Sequence, residues 1–381
     1  MTEVCPADRR CERLQKDVTP IRPRLAPTTT HGDLPSAPRV MQSFRAPRPT
    51  TNPYITQLDE SLATTPDLVH ERFSWGRALF GTYDAFHWHW PEGKLEGTRW
   101  WKSLGKFALT LAIVLRHRLS RRIAVVRTVH NVELPDVNAP RRWLLTYVDR
   151  HTDHRIVLNT TTPVPAGATA TLIRHGHYRD WYAPQERHAR VPGRLATFGA
   201  VRRYKSVDVL LDAYADAVAE RPDLSVEIGG RPSSAEIEHD VRARTASLPN
   251  VHLSLAFLSD AELVRLTTSA ELIVLAYRFM HNSGSVLAAL SLGRPVLVPR
   301  NPVNEDLAAE VGHDWVLMFD DDLDASDVLT AVAHASKLTE DEAPNLSLRD
   351  WDRAGRDHRA VFVDAVAAKR AVPSRTRGGP A

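Results

Sequence analysis

The chain has 381 residues, 43% of them hydrophobic and 25% charged, which is enough globular material for two domains with real cores. Its two cysteines, Cys5 and Cys11, both fall in an N-terminal tail, which excludes a disulfide framework or a Cys-based zinc site and fits a reducing compartment. The net charge of +3 conceals an asymmetry: residues 1–190 carry 28 Lys/Arg against 18 Asp/Glu and the remainder 21 against 28, so the front half is the one suited to an anionic partner.

Residues 1–38 are rich in Pro, Arg and Thr without apolar clustering and read as a disordered extension. No signal-peptide core is visible, and the longest apolar run, Phe107 to Leu115, falls far short of the ~20 residues that cross a bilayer. Order is expected from Arg39-Val40-Met41, a short strand followed by a loop bearing Arg45 and Arg48. Asn52 and Pro53 suit the N-cap and first position of a helix whose Ile55, Leu58 and Leu62 face inward.

YDAFHWHWP, from Tyr83, predicts a buried strand over Ala85–Trp88 with an aromatic tip. His87 and His89 share a face, but no third ligand completes a metal set. Core packing explains this run, and an aromatic platform of His89 and Trp90 at the strand's carboxyl edge is the functional alternative. Thr98 to Arg122 alternates Trp100, Trp101, Phe107, Leu111, Val114 and Leu115 with seven cations. It fits equally a crossover helix whose apolar face covers a sheet and a helix lying on an anionic membrane surface.

A buried strand over Ile123–Val129 ends at His130-Asn131, with Glu133 in the loop beyond. A histidine at the carboxyl edge of a strand is a good candidate for a ligand cleft. A helix near Arg141–Arg150 and strands at Arg155–Leu158 and Thr171–Ile173 lead to the turn His175-Gly176-His177.

From Arg194 strands and helices alternate, which predicts a parallel doubly wound sheet. Strands are expected at Arg194–Phe198, Ser225–Gly229, Val251–Ser254, Leu272–Leu275, Pro295–Val298 and Trp315–Phe319. Two stretches in this half carry chemistry. In RLATFGAVRRYKSVDVLLDAY, from Arg194, a loop with Arg202, Arg203 and Lys205 joins a strand to a helix, and Ser206 is placed to cap that helix. In HNSGSVLAALSLGRPVLVP, His281, Asn282, Ser283, Gly284 and Ser285 precede a small-residue helix. Cationic loops and helix N-termini both suit phosphate. Gly229, at a strand end, is a further point where a ligand could approach.

Together these two stretches resemble the donor half of GT-B glycosyltransferases, the large family that includes glycogen synthases and phosphatidylinositol mannosyltransferases. The resemblance covers residues 39 to 370. It implies an α/β chain of two Rossmann-like doubly wound domains facing a cleft: an acceptor-side domain over 39–187, a nucleotide-sugar domain over 188–348 and a crossover helix over 349–371, followed by a mobile tail over 372–381. By the same resemblance, Arg202 and Lys205 grip the donor diphosphate with Ser283, Gly284 and Ser285, and His130 orients the donor sugar at the reacting centre. Arg45, Asn131, Glu133, His89, Trp90, His175, Gly229, His281 and Asn282 are further possible contacts.

Two departures stand out. Ser206 replaces the glycine that usually follows the lysine, and no carboxylate stands where the family carries two glutamates seven apart, near Met280 or His281 and near Ala288. The implied activity is transfer of a hexose from a UDP- or GDP-sugar to a lipid-linked or glycolipid acceptor in envelope or exopolysaccharide synthesis. Retention and independence of metal and of any cofactor are implied as well, while a cytoplasmic location is expected from the cysteine usage and membrane contact through 98–122 remains one of the two readings of that stretch. A nucleotide-sugar-binding protein without transferase activity, or a sugar-nucleotide epimerase on the same fold, are the alternatives. The basic residues match no nucleic-acid reader motif.

Overall fold

The computed structural model describes residues 37–48, 51–120, 122–131 and 136–371. The expected extension before residue 37, the tail from 372 and Glu133 lie outside the described residues. The chain divides into two units, one of residues 1–175 with Trp351–Ala381, the other of Gly176–Asp350. Residues 176–187 therefore group with the second unit, not the first as the sequence suggested. The reason is packing, since Tyr178 and Tyr182 are buried in the second unit's core.

In the first unit six strands form one parallel sheet. They are β1 (Arg39–Gln42), β2 (Val69–Glu71), β3 (Ala85–Trp88), β4 (Ala124–Val129), β5 (His154–Val157) and β6 (Ala170–Leu172), in the order β2-β1-β3-β4-β5-β6. All neighbours run parallel, so both faces must be covered. One face is covered by α1 (Pro53–Thr64), with Ile55, Leu58 and Leu62 pointing in, and by the C-terminal helix, whose Phe362 is buried beside them. Asn52 caps α1 by accepting from the Tyr54 amide, as its sequence predicted. On the other face lie α2 (Trp75–Phe80), α3 (Trp100–Leu119) and α4 (Ala139–Arg150), packed on Phe86, Trp88 and Val125. β2 and α2 had no clear signal, because their apolar runs are too short to show a period.

Helix α3 covers the sheet with one apolar face and leaves a second apolar face exposed. Thr110, Ile113, Val114 and His117 are its buried residues, whereas Trp100, Trp101, Leu104, Leu115 and Leu119 stand exposed. At 100° per residue the exposed apolar positions 100, 101, 104, 108, 112, 115 and 119 fall within a sector of about 120°, with the exposed Arg118 at its edge. Among the described residues no helix is long and apolar enough to cross a membrane.

The second unit holds β7 (Arg194–Phe198), β8 (Ser225–Gly229), β9 (Val251–Ser254), β10 (Leu272–Val274), β11 (Val296–Pro299) and β12 (Val316–Phe319). They too form a parallel sheet, in the order β12-β11-β10-β7-β8-β9, with α5 (Arg179–Tyr182), α6 (Val207–Glu220), α7 (Ala235–Thr245), α8 (Asp260–Ser269) and α9 (Gly284–Ser291) among the unit's helices. The chain winds outward from β7 in one direction and from β10 in the other. The loops after β7 and β10 thus diverge at a topological switch point, where open α/β sheets place their ligands. In the first unit β1 and β3 flank the corresponding point.

Candidate active site

The loop after β7 brings its cations to the switch point of the second unit. Gly199 (φ 94°) turns the chain, and a single turn of 3₁₀-helix, Arg203–Lys205, leads into α6 (Val207–Glu220). The Lys205 ammonium curls back to donate to the Phe198 carbonyl at 3.3 Å and lies 4.9 Å from the ring centre of Tyr277, the third residue after β10. The positive φ of Gly199 favours glycine, and a Cβ there would come within 2.7 Å of the ammonium and push it from this position. Burial, aided by the nearby Arg202 guanidinium, lowers the Lys205 pKa to about 8. Arg203 pairs with Glu236. Among the described residues Arg202 and Lys205 have no carboxylate partner.

Facing them is the start of α9 (Gly284–Ser291), capped by Ser283, which accepts from the Val286 amide at 3.4 Å. Ser285 and Tyr277 join hydroxyls at 3.2 Å. The two loops are tied by a backbone bond from the Arg278 amide to the Tyr204 carbonyl, 3.0 Å. Together Tyr204, Lys205, Tyr277, His281, Asn282 and Ser285 contribute to a cavity of about 150 Å³. Lys205, a helix N-terminus and hydroxyls meet at this recess, with Arg202 close enough to act on Lys205, and donors of these kinds suit an anion.

The first unit concentrates histidines and aromatics at the carboxyl ends of its strands. His130 follows β4 and stacks on Trp90, with ring centres 3.8 Å apart and planes 18° from parallel, while Tyr54 meets it edge-on at 5.4 Å. His175 lies 4.4 Å from Tyr54 by ring centres. Behind His130, His89 Nδ1 is 3.4 Å from His130 Nε2, and His89 Nε2 is 3.2 Å from the Gln42 amide oxygen. If that oxygen accepts, His89 donates through Nε2, its Nδ1 is an acceptor, and His130 turns an Nε2–H toward it. Burial, with His175 and Arg127 nearby, holds the His130 pKa well below the usual value, so its ring is neutral at pH 7.

No protein-family model matches the chain. Two GDP-mannose:glycolipid 4-beta-D-mannosyltransferases of Xanthomonas campestris pv. campestris, one of them from strain ATCC 33913, are 39% and 38% identical to it over 335 residues, which are 87% of this chain and 94% of each relative. The chain belongs to this glycosyltransferase family. Solved structures share its fold: Anabaena Alr3699/HepE in complex with UDP (TM-score 0.55, 12% identity, 87% of this chain and 97% of that one) and AviGT4, a glycosyltransferase of avilamycin A biosynthesis (TM-score 0.52, 13% identity, 87% and 98%). The two sheets of this glycosyltransferase are accordingly the two halves of a GT-B enzyme.

The glycosyltransferase brings Lys205, Ser283, Gly284, Ser285, His281 and Asn282 to one recess, with Arg202 near Lys205 but outside the lining, and His89, Trp90, His130 and His175 to another region, in the first unit. Asn131 is exposed beyond β4. Arg45, also exposed, sits near Lys94, whose pKa is lowered to about 8 by burial and by Arg45 itself.

Two expectations need correcting. Gly229 does not open toward a ligand: a Cβ there would meet Leu266 at 2.4 Å and Leu258 at 2.9 Å, so its missing side chain serves packing. Ser206 does not cap α6. It lies in the left-handed region (φ 48°, ψ 48°), makes no cap bond, and its buried hydroxyl has no partner. The glycine usual at this point suits that backbone. Tyr54 and Tyr277 escaped the sequence reading. Tyr277 carried a signal, its place just past a strand's carboxyl end, whereas nothing marked Tyr54, which reaches the histidines only through tertiary packing.

Proposed function

We propose that the protein transfers mannose from GDP-mannose to the 4-hydroxyl of a glycolipid-borne sugar, forming a β linkage. The observation that carries this is identity of 39% across 94% of a relative named for that reaction, and the recess lined by Lys205 and the start of α9 supports a place for the donor diphosphate. GDP-mannose carries its mannose in the α configuration, so a β product requires inversion at C1. Inversion replaces the retention implied by the broader resemblance.

The acceptor oxygen attacks C1 as the bond from C1 to the diphosphate oxygen breaks, and GDP leaves with the electron pair. Lys205 and Arg202 neutralise the charge that grows on the diphosphate, with the α9 amides assisting, a role a metal takes elsewhere. His130, neutral and backed by His89, accepts the hydroxyl proton, and the imidazolium so formed is supported by the Trp90 face. His130 is therefore read as a base, where the resemblance made it a sugar-orienting residue.

The exposed stripe of α3 and its flanking cations support contact with an anionic membrane surface, where a glycolipid acceptor resides; a cytoplasmic location is part of the same reading. The decisive experiment incubates the purified protein with GDP-mannose or UDP-glucose and a lipid-linked oligosaccharide, with and without EDTA, and determines the anomeric configuration of the product by NMR. A β-mannoside formed from GDP-mannose in EDTA is expected. An α-mannoside would remove the inverting mechanism, and transfer from UDP-glucose alone would remove the donor assignment.

A further inference from the structure

A second cavity, of about 260 Å³, lies in the first unit away from His130, among the chain segments that enter β4 and β5. Trp88, Val114 and Val148 contribute an apolar lining, and three cations from three elements converge on it: Arg118 from the last turn of α3, Arg150 from the last residue of α4, and Lys369 from the C-terminal helix. Lys369 is neutralised by Asp153, at 2.9 Å to both carboxylate oxygens. Among the described residues Arg118 and Arg150 have no carboxylate partner, so two guanidinium charges remain over, opposed in part by the carbonyl ends of their own helices. His117 also lines the cavity. Its Nε2 bonds the Tyr83 hydroxyl at 3.0 Å, and that hydroxyl itself donates to the Ala78 carbonyl, which leaves Nδ1 as an acceptor for a ligand hydroxyl.

Each arginine shares a helix face with an exposed apolar anchor. Arg118 is three residues from Leu115 (45% exposed) and adjoins Leu119 (81%), at the edge of the α3 stripe. Arg150 is seven residues, two turns, from Trp143 on α4 (54% exposed). A surface that takes up these anchors brings its charged groups to the cavity mouth.

The geometry points to a binding site for the phosphate headgroup of an anionic phospholipid between the ends of α3 and α4, beside the stripe that enters the bilayer interface. This inference rests on the membrane contact proposed above and names the lipid chemistry that contact selects.

The test is flotation of the full-length protein with vesicles of pure phosphatidylcholine or of phosphatidylcholine with phosphatidylglycerol. Wild type should partition more strongly onto the anionic vesicles. Arg118→Gln with Arg150→Gln should abolish that preference, at a cost above the roughly 25-fold expected from two ordinary surface cations, and leave binding to neutral vesicles unchanged. Lys102→Gln with Arg122→Gln, outside the cavity, should cost no more than that. Equal losses for the two pairs would overturn the headgroup site in favour of diffuse attraction.

Glycerol 3-phosphate at millimolar concentration separates the sources. If it raises the melting temperature of wild type but not of the arginine pair variant, while that variant keeps its lipid preference, the cavity serves a soluble phosphate and the lipid assignment falls. Leu104→Glu with Leu115→Glu should abolish binding to every vesicle. Persistent binding of that variant would refute the membrane contact itself, whatever the arginine variants do.

Discussion

Ser206 offers a sharp test of the donor loop. A side chain in the left-handed region costs roughly 1–2 kcal/mol. The Ser206 hydroxyl is also buried without a partner, 1% exposed, and an unmet buried hydroxyl costs on the order of 1 kcal/mol or more. Ser206→Gly removes both penalties. Against this stands the extra freedom of glycine in the unfolded chain, roughly 0.5–1 kcal/mol, and the small void left by the lost side chain. The net expectation is stabilisation by about 1 kcal/mol, which raises the second unit's melting temperature by about 2–4 °C. Ser206→Ala separates the terms, because it deletes the hydroxyl but keeps a Cβ in the strained backbone. It should gain the hydroxyl's share and fall short of the glycine variant only by the strain left after glycine's entropy cost, roughly 0.5 kcal/mol. Scanning calorimetry with urea denaturation of both variants decides the matter. A glycine variant no more stable than wild type would refute the reasoning, and an alanine variant equal to it would assign the whole cost to the hydroxyl.

Lys205→Met should lower kcat/KM for the nucleotide-sugar by about 10²–10³-fold, the usual effect of losing a donor aimed at developing charge. In wild type kcat/KM should fall as pH rises through about 8, because Lys205 is charged below its lowered pKa and neutral above it; a pH–rate profile without that limb would detach the lysine from the donor. His130→Ala should reduce kcat by about 10²–10⁴-fold while the thermal shift produced by GDP stays at the wild-type value. Loss of the GDP shift would make His130 a donor-binding or structural group. Gly199→Ala should reduce that GDP shift, since its backbone disfavours alanine and the methyl takes the place where the Lys205 ammonium rests; an unchanged shift would show that the lysine can meet phosphate from elsewhere.

The second unit's parallel sheet was legible from the sequence because strands such as Leu272–Val274 are short apolar runs alternating with periodic helices, and in the first unit Ala85–Trp88 was legible for the same reason, whereas β2 was too short to show. The parts of the Lys205 recess were legible too, since they are local: a glycine turn, a cationic loop and a capped helix start each announce themselves within a few residues. What tertiary structure decided were relations between distant segments. Ser206 reads as a cap until the fold imposes a left-handed backbone on it. Gly229 reads as an opening for a ligand until two leucines are seen to fill the space. Tyr54 acquires a role because α1 packs beside the ends of β3 and β4. On α3 the apolar residues were all visible, but a periodic pattern cannot say which of two apolar faces meets the sheet. Packing against β3 and β4 assigned Ile113 and Val114 to the core and left Trp100, Leu104, Leu115 and Leu119 exposed. Local chemistry is written along the chain, whereas burial is a property of what comes to lie across from it.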